Sequence, residues 1–126
     1  MDERQHHKEL VNGLYKEQEE IFDSSEQAIY AYLDDNHKVC NKKFAALLGY
    51  KSPDEWSKTG ENVLGTFVAP KSQEVLSKTY HRAMEERVGS TIGVTWKKES
   101  GGTVDTTVIL VPIAYKGHLF ALHFVS

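Results

Sequence analysis

The sequence predicts an α+β domain in which a C-terminal antiparallel meander is covered by helices on both faces. Three observations carry this expectation. The stretches Ser90 to Lys98, Thr103 to Tyr115 and His118 to Val125 are separated by Ser100-Gly101-Gly102 and Lys116-Gly117, glycine-bearing breaks of hairpin length. Val108-Ile109-Leu110-Val111 is apolar at every position, as in a strand covered on both sides. Amphipathic segments elsewhere in the chain supply the covers.

Taken in order, residues from about Glu3 to Phe22 are rich in Glu, Lys and Gln, which favour helix. Leu10, Val11, Leu14, Tyr15, Ile21 and Phe22 recur at three- and four-residue steps, so one amphipathic helix is expected, closed by Asp23-Ser24-Ser25. Such a helix is too short and too charged to stand alone and needs the outer face of the sheet. Gln27 to Leu33 and His37 to Cys40 read as a strand pair around the turn formers Asp34-Asp35-Asn36. Asn41 caps a short helix whose Phe44, Leu47 and Leu48 face inward and which Gly49 ends. Ser52-Pro53-Asp54-Glu55 starts another, anchored by Trp56. A loose turn of helix is expected at Glu61 to Leu64, then a longer helix from Pro70 to about Arg87, stopped by Gly89, with Leu76, Tyr80, Ala83 and Met84 on its inner side. In the first meander strand Ile92, Val94 and Trp96 alternate with Thr91, Gly93 and Thr95. The last places Phe120, Leu122 and Phe124 on one face and Leu119, Ala121 and Val125 on the other.

At 126 residues the chain fits one domain with a substantial core. A net charge of -3 with no basic stripe argues against nucleic acid as a partner. The sequence lacks an apolar run able to span a bilayer, and its polar start is unlike a signal peptide, so a cytoplasmic protein without a membrane partner is expected. Cys40, the single cysteine, reads as a small buried hydrophobe rather than a redox thiol.

The order helix, two strands, three short helices, a longer helix and three strands resembles the PAS domain family from about Gln27 to Val125. The residues that carry the resemblance are the strand pair around Asp34-Asp35-Asn36, Val39-Cys40-Asn41-Lys42-Lys43-Phe44, Leu48-Gly49-Tyr50 and Glu99-Ser100-Gly101-Gly102-Thr103-Val104. The resemblance implies a five-stranded antiparallel sheet in the order 2-1-5-4-3, with short helices enclosing a pocket on one face. It also implies that the leading segment, residues 1–24, is a cap outside residues 25–126, the domain proper, and joins two subunits. Flavin-binding light sensors of this family carry a reactive Cys after Gly-x-Asn, but Gly60-Glu61-Asn62 leads to Val63, which disfavours that photochemistry. Photoactive yellow proteins attach a chromophore to a Cys where Val68-Ala69-Pro70 here leads to Lys71, which disfavours a thioester. Haem-binding members use a His on the long helix; His81 lies there, one position off the inward stripe, and haem is disfavoured too. The cofactor is left unknown.

The expected ligand pocket is the volume between sheet and helices, walled by Leu47, Trp56, Phe67, Tyr80, Met84, Trp96 and Phe120. The expected homodimer interface comprises Leu10, Leu14 and Ile21 of the first helix with Ile109, Val111 and Ile113 of the sheet. No catalytic set is marked, so an enzyme is not expected, and His37, His118 and His123 are not expected to form a metal site: His118 and His123 are an odd number of residues apart on one strand, and His6 and His7 lie in a terminus expected to fray. The function that follows is a sensory, signal-transduction PAS module working by dimerisation, with a small-molecule ligand and an effector protein as partners. The chain stops at Phe124-Val125-Ser126 without the Asp-Ile-Thr linker of kinase-embedded members, so no attached effector is expected. The alternatives are a pocket enzyme with the α+β fold of the nuclear-transport-factor family, disfavoured because two strands precede the middle helices, and a ligand-free PAS interaction module.

Overall fold

A computed structural model describes residues 3–17, 19–34, 37–59 and 62–126. In chain order the elements are α1 (Glu3–Glu17), α2 (Glu19–Ser24), β1 (Ala28–Asp34), β2 (His37–Cys40), α3 (Lys42–Leu47), α4 (Pro53–Lys58), α5 (Val63–Phe67), α6 (Pro70–Glu86), β3 (Ser90–Lys97), β4 (Thr103–Tyr115) and β5 (His118–Val125). The strands form one antiparallel sheet in the order β2-β1-β5-β4-β3. The first and last strands of the chain, β1 and β5, pair side by side, so the N-terminal strand pair and the C-terminal meander close on each other.

Strand parity sorts the side chains. Tyr30, Cys40, Val94, Trp96, Val108, Leu110, Ala121 and Val125 point to one face, where they pack with Phe44, Leu48, Trp56, Phe67, Leu76 and Ala83 from α3 to α6. Ile29, Ala31 and Phe120 point to the other, under Leu10, Val11 and Leu14 of α1 and Phe22 of α2. The expected two-sided sheet is therefore observed, with the outer cover made of two helices where one was expected. The Tyr15 hydroxyl donates to Asp23 Oδ1 at 3.1 Å and ties them together.

Asn41 organises the junction. Its Oδ1 accepts from the Phe44 amide at 3.0 Å, capping α3, and from the Ile29 amide at 3.0 Å, while its Nδ2 donates to the Phe22 and Gln27 carbonyls at 3.1 and 2.9 Å. One buried amide thus joins both layers to the sheet. Ser52 Oγ caps α4 through the Glu55 amide, as the Ser-Pro-Asp-Glu run predicts.

Some elements end differently from expectation. The turn expected at Glu61 to Leu64 is the helix α5 at Val63–Phe67, because Asn62 Oδ1 accepts from the Gly65 amide at 3.1 Å and sets the start there. Helix α6 closes at Glu86 with Arg87, not Gly89, in the left-handed region at φ 57°. Gly89 instead passes the Leu110 carbonyl, where a Cβ would sit 3.4 Å from the oxygen. The β4–β5 turn has positive φ at both Lys116 (48°) and Gly117 (80°), the tight hairpin the sequence signals. Asp35, Asn36, Gly60 and Glu61 lie outside the described residues.

Candidate functional site

Most of the expected pocket wall is solid core. Trp56, Phe67 and Trp96 are each fully buried, with Phe44 and Tyr30 edge-on or tilted among them at ring separations of 4.7 to 5.7 Å. Leu47 and Met84 are half-buried against the same cluster. Trp96 meets its need for an acceptor inside its own hairpin: Nε1–H donates to Thr106 Oγ1 at 2.8 Å, and that hydroxyl donates to the Val94 carbonyl at 2.9 Å. Among the described residues the Trp56 Nε1–H has no hydrogen-bond partner, while the Lys38 ammonium lies 5.3 Å from the Trp56 ring centre and donates to the Ser57 carbonyl at 3.2 Å.

Phe120 is a correction. It pairs with Ile113 across the β4–β5 ladder, and that parity puts it on the outer face, under α1, rather than in the pocket. The inward positions of β5 are Ala121, His123 and Val125.

The cavity that does open, about 180 Å³, lies between β1, β5, the start of α5 and the middle of α6. Of the expected wall residues Tyr80 alone lines it. Its floor is Tyr30 stacked on His123, ring centres 3.8 Å apart and planes within 9°. Val63, Leu64 and Leu76 supply apolar walls, and Tyr32, Asn62, Ser77 and His81 polar ones. Tyr32 and Tyr80 meet edge to face at 5.3 Å across the cleft.

Electrostatically the floor is neutral. His123 is fully buried, its Nδ1–H donating to the Ala121 carbonyl at 3.1 Å, and burial pushes its pKa down to about 3. Burial also holds the Tyr30 hydroxyl well above its usual value. A small aromatic or apolar group can lie on such a surface without displacing charge. At the rim His81 donates Nδ1–H to the Ser77 carbonyl of the preceding turn at 2.8 Å. Cys40 is buried, and desolvation pushes its thiol up to about 12, so it is no thiolate nucleophile near neutral pH.

The expected dimer residues divide. Leu10 and Leu14 are buried in the chain's own outer core and cannot also face a partner, and Ile113 packs against that core. Ile21 lies outside the described side chains. Ile109 is 42% exposed, and Val111 is half-buried beside it. The reason is width: a helix is about 10 Å across and covers two or three strands spaced about 4.8 Å apart. Helix α1 sits over β1 and β2 and reaches the end of β4 at Ile113 and Tyr115, leaving the outer face of β4 around Ile109 and Val111 open.

These features define an α+β domain with one helix-backed sheet, a small neutral cleft on its inner face and a partly open outer face. No family model matches the sequence, and no curated protein does. Among solved structures, a PAS domain from Colwellia psychrerythraea superposes with a TM-score of 0.70 at 21% identity, covering 90% of this chain and 95% of that one. The PAS domain of the fruit-fly ELK potassium channel gives 0.67 at 16% identity, covering 88% and 94%. A PAS domain from a two-component sensor histidine kinase gives 0.66 at 12% identity, covering 91% and 96%. The fold is therefore the PAS fold, with the strand order the resemblance implies, and the nuclear-transport-factor alternative is set aside.

Proposed function

We propose that the chain is a sensory, signal-transduction module that takes a small, mainly apolar molecule onto the Tyr30–His123 stack and reports it through self-association. The observation that supports this best is the cleft itself: a buried aromatic floor, apolar walls and a polar rim converging on one cavity of about 180 Å³. A cavity of about 150 Å³ suffices for a benzene-sized guest, whereas drug-sized ligands need about 300 Å³ or more. The ligand class is thus a single-ring molecule with one or two polar groups, and a haem or flavin is far too large for the cleft in this form. The occurrence of PAS domains with this fold in a sensor histidine kinase and in an ion channel supports a regulatory role.

Self-association rests on the open face at Ile109 and Val111, continued by the half-buried Leu122 and Phe124. An effector protein that meets the same face is the downstream partner in this reading. Native mass spectrometry of protein purified from its own source tests the ligand: a small-molecule adduct is expected, and Ser77→Trp, which fills the cleft, should abolish it. A native mass equal to the bare chain would favour a second reading, a ligand-free association module. The solid cluster of Trp56, Phe67 and Trp96, where the sequence places the pocket, is the observation on that side.

A further inference from the structure

Away from the cleft, the docking of α1 brings a histidine against two side chains of the β1–β2 hairpin. His7 on α1, Asp34 at the end of β1 and His37 at the start of β2 converge: Asp34 Oδ2 lies 3.2 Å from His7 Nδ1, and Asp34 Oδ1 lies 2.6 Å from His37 Nδ1. One donor atom from each of the three lies within 4.8 Å of the other two. Around them His118, at the start of β5, places its ring 5.9 Å from that of His7, and the His6 ring is 5.3 Å from His118. His118 donates Nδ1–H to the Lys116 carbonyl at 3.2 Å, which leaves Nε2 as the nitrogen with a lone pair. Both His6 and His7 lie within α1.

We propose that His7, Asp34 and His37 form a binding site for a divalent transition-metal ion of the zinc class, which clamps the N-terminal helix to the β1–β2 hairpin. Two imidazoles and a carboxylate are a donor set for zinc, nickel or copper rather than for magnesium or calcium, which take oxygen. Bonds of about 2.0–2.2 Å in a tetrahedral site separate the donors by about 3.4 Å, so no pair has to close by more than about 1.4 Å. In the ion-free chain these two contacts are hydrogen bonds in which the Nδ1–H groups of His7 and His37 donate to Asp34, so ligation through Nδ1 replaces both bonds as each ring proton moves to Nε2. The side chains of His7, Asp34 and His37 are 21%, 40% and 12% exposed, open enough for an ion to enter. Water or His118 Nε2 takes the fourth position. Because His7 comes from the cover helix and the other two from the sheet, bound metal holds α1 over Phe120 and Ile29, and its removal loosens that cover.

The test is titration of the chelator-stripped full chain with zinc chloride by isothermal calorimetry, with cobalt(II) as a visible-absorption probe of coordination. Expected are one ion per chain at micromolar affinity or tighter and the intense ligand-field bands of low-coordinate cobalt. His37→Ala and Asp34→Asn should each weaken binding by more than the roughly 10- to 100-fold that losing an outer-shell partner costs, while His81→Ala leaves it unchanged. Asp34→Asn preserves shape and keeps the test decisive if the alanine variant fails to fold. Zinc should also slow amide exchange across 6–16 in the parent chain and not in Asp34→Asn. The proposal is overturned by binding that is non-stoichiometric, by one ion shared between two chains, by equal binding in all variants, or by metal that binds without slowing exchange in α1.

Discussion

Replacing His123 by Phe should flatten the pH dependence of stability. The imidazole is stacked 3.8 Å from Tyr30 and fully buried, and burial holds its pKa at about 3 in the folded chain. An unfolded histidine titrates at about 6.5. Between those values the unfolded state binds a proton that the folded state refuses, so stability rises with pH and falls as acid is added. The contribution is intact above about pH 6.5 and declines by about 1.4 kcal/mol per pH unit below it, until the buried ring itself protonates near 3. Between about pH 7 and pH 5 the loss comes to about 2 kcal/mol. Phe keeps an aromatic ring on Tyr30 and cannot titrate; any cost of its shape, or of the lost hydrogen bond to Ala121, is the same at both pH values. Urea unfolding of both proteins at pH 5, 6 and 7 gives the difference directly. The parent should lose about 2 kcal/mol more than His123→Phe across that range. Parallel curves would refute the neutral, buried imidazole and with it the uncharged floor of the cleft.

Asn41→Ala removes a helix cap and strands the Ile29 amide and the Phe22 and Gln27 carbonyls, so urea unfolding should show a loss of about 3–4 kcal/mol, large for a single uncharged side chain. Ile109→Glu should yield a monomer by light scattering with stability changed by less than about 0.5 kcal/mol, since the side chain is exposed within one chain; an unchanged dimer mass would remove the outer face as the interface. Leu14→Glu, by contrast, should unfold the outer layer, visible as exposed hydrophobic surface by dye binding, because Leu14 is buried within its own chain. In nuclear magnetic resonance titrations with phenol, shifts should cluster at Tyr30, Leu76 and His123 and vanish in Ser77→Trp; shifts confined to the outer face would place the ligand elsewhere.

The strand boundaries, the caps at Asn41 and Ser52 and the two-sided cover were legible in the sequence, because hairpin glycines, strand alternation and capping side chains act over a few residues. The cleft was not, because it depends on which bulky side chains fill the inner layer. Trp56, Phe67 and Trp96 fill one end, whereas the flat His123–Tyr30 stack leaves room at the other. The inward face of β5 carried a usable signal in Ala121, His123 and Val125 at a period of two, but the orientation of that strand is set by its pairing of Phe120 with Ile113. The histidine cluster was invisible for a different reason. Asp34 and His37 meet across the β1–β2 hairpin, but only the docking of α1 on that edge brings His7 to them. Local sequence thus determined the order and type of the strands and of most helices, while the tertiary structure alone decided which faces stayed open and which distant side chains met, because both depend on volumes and registers summed over the whole sheet.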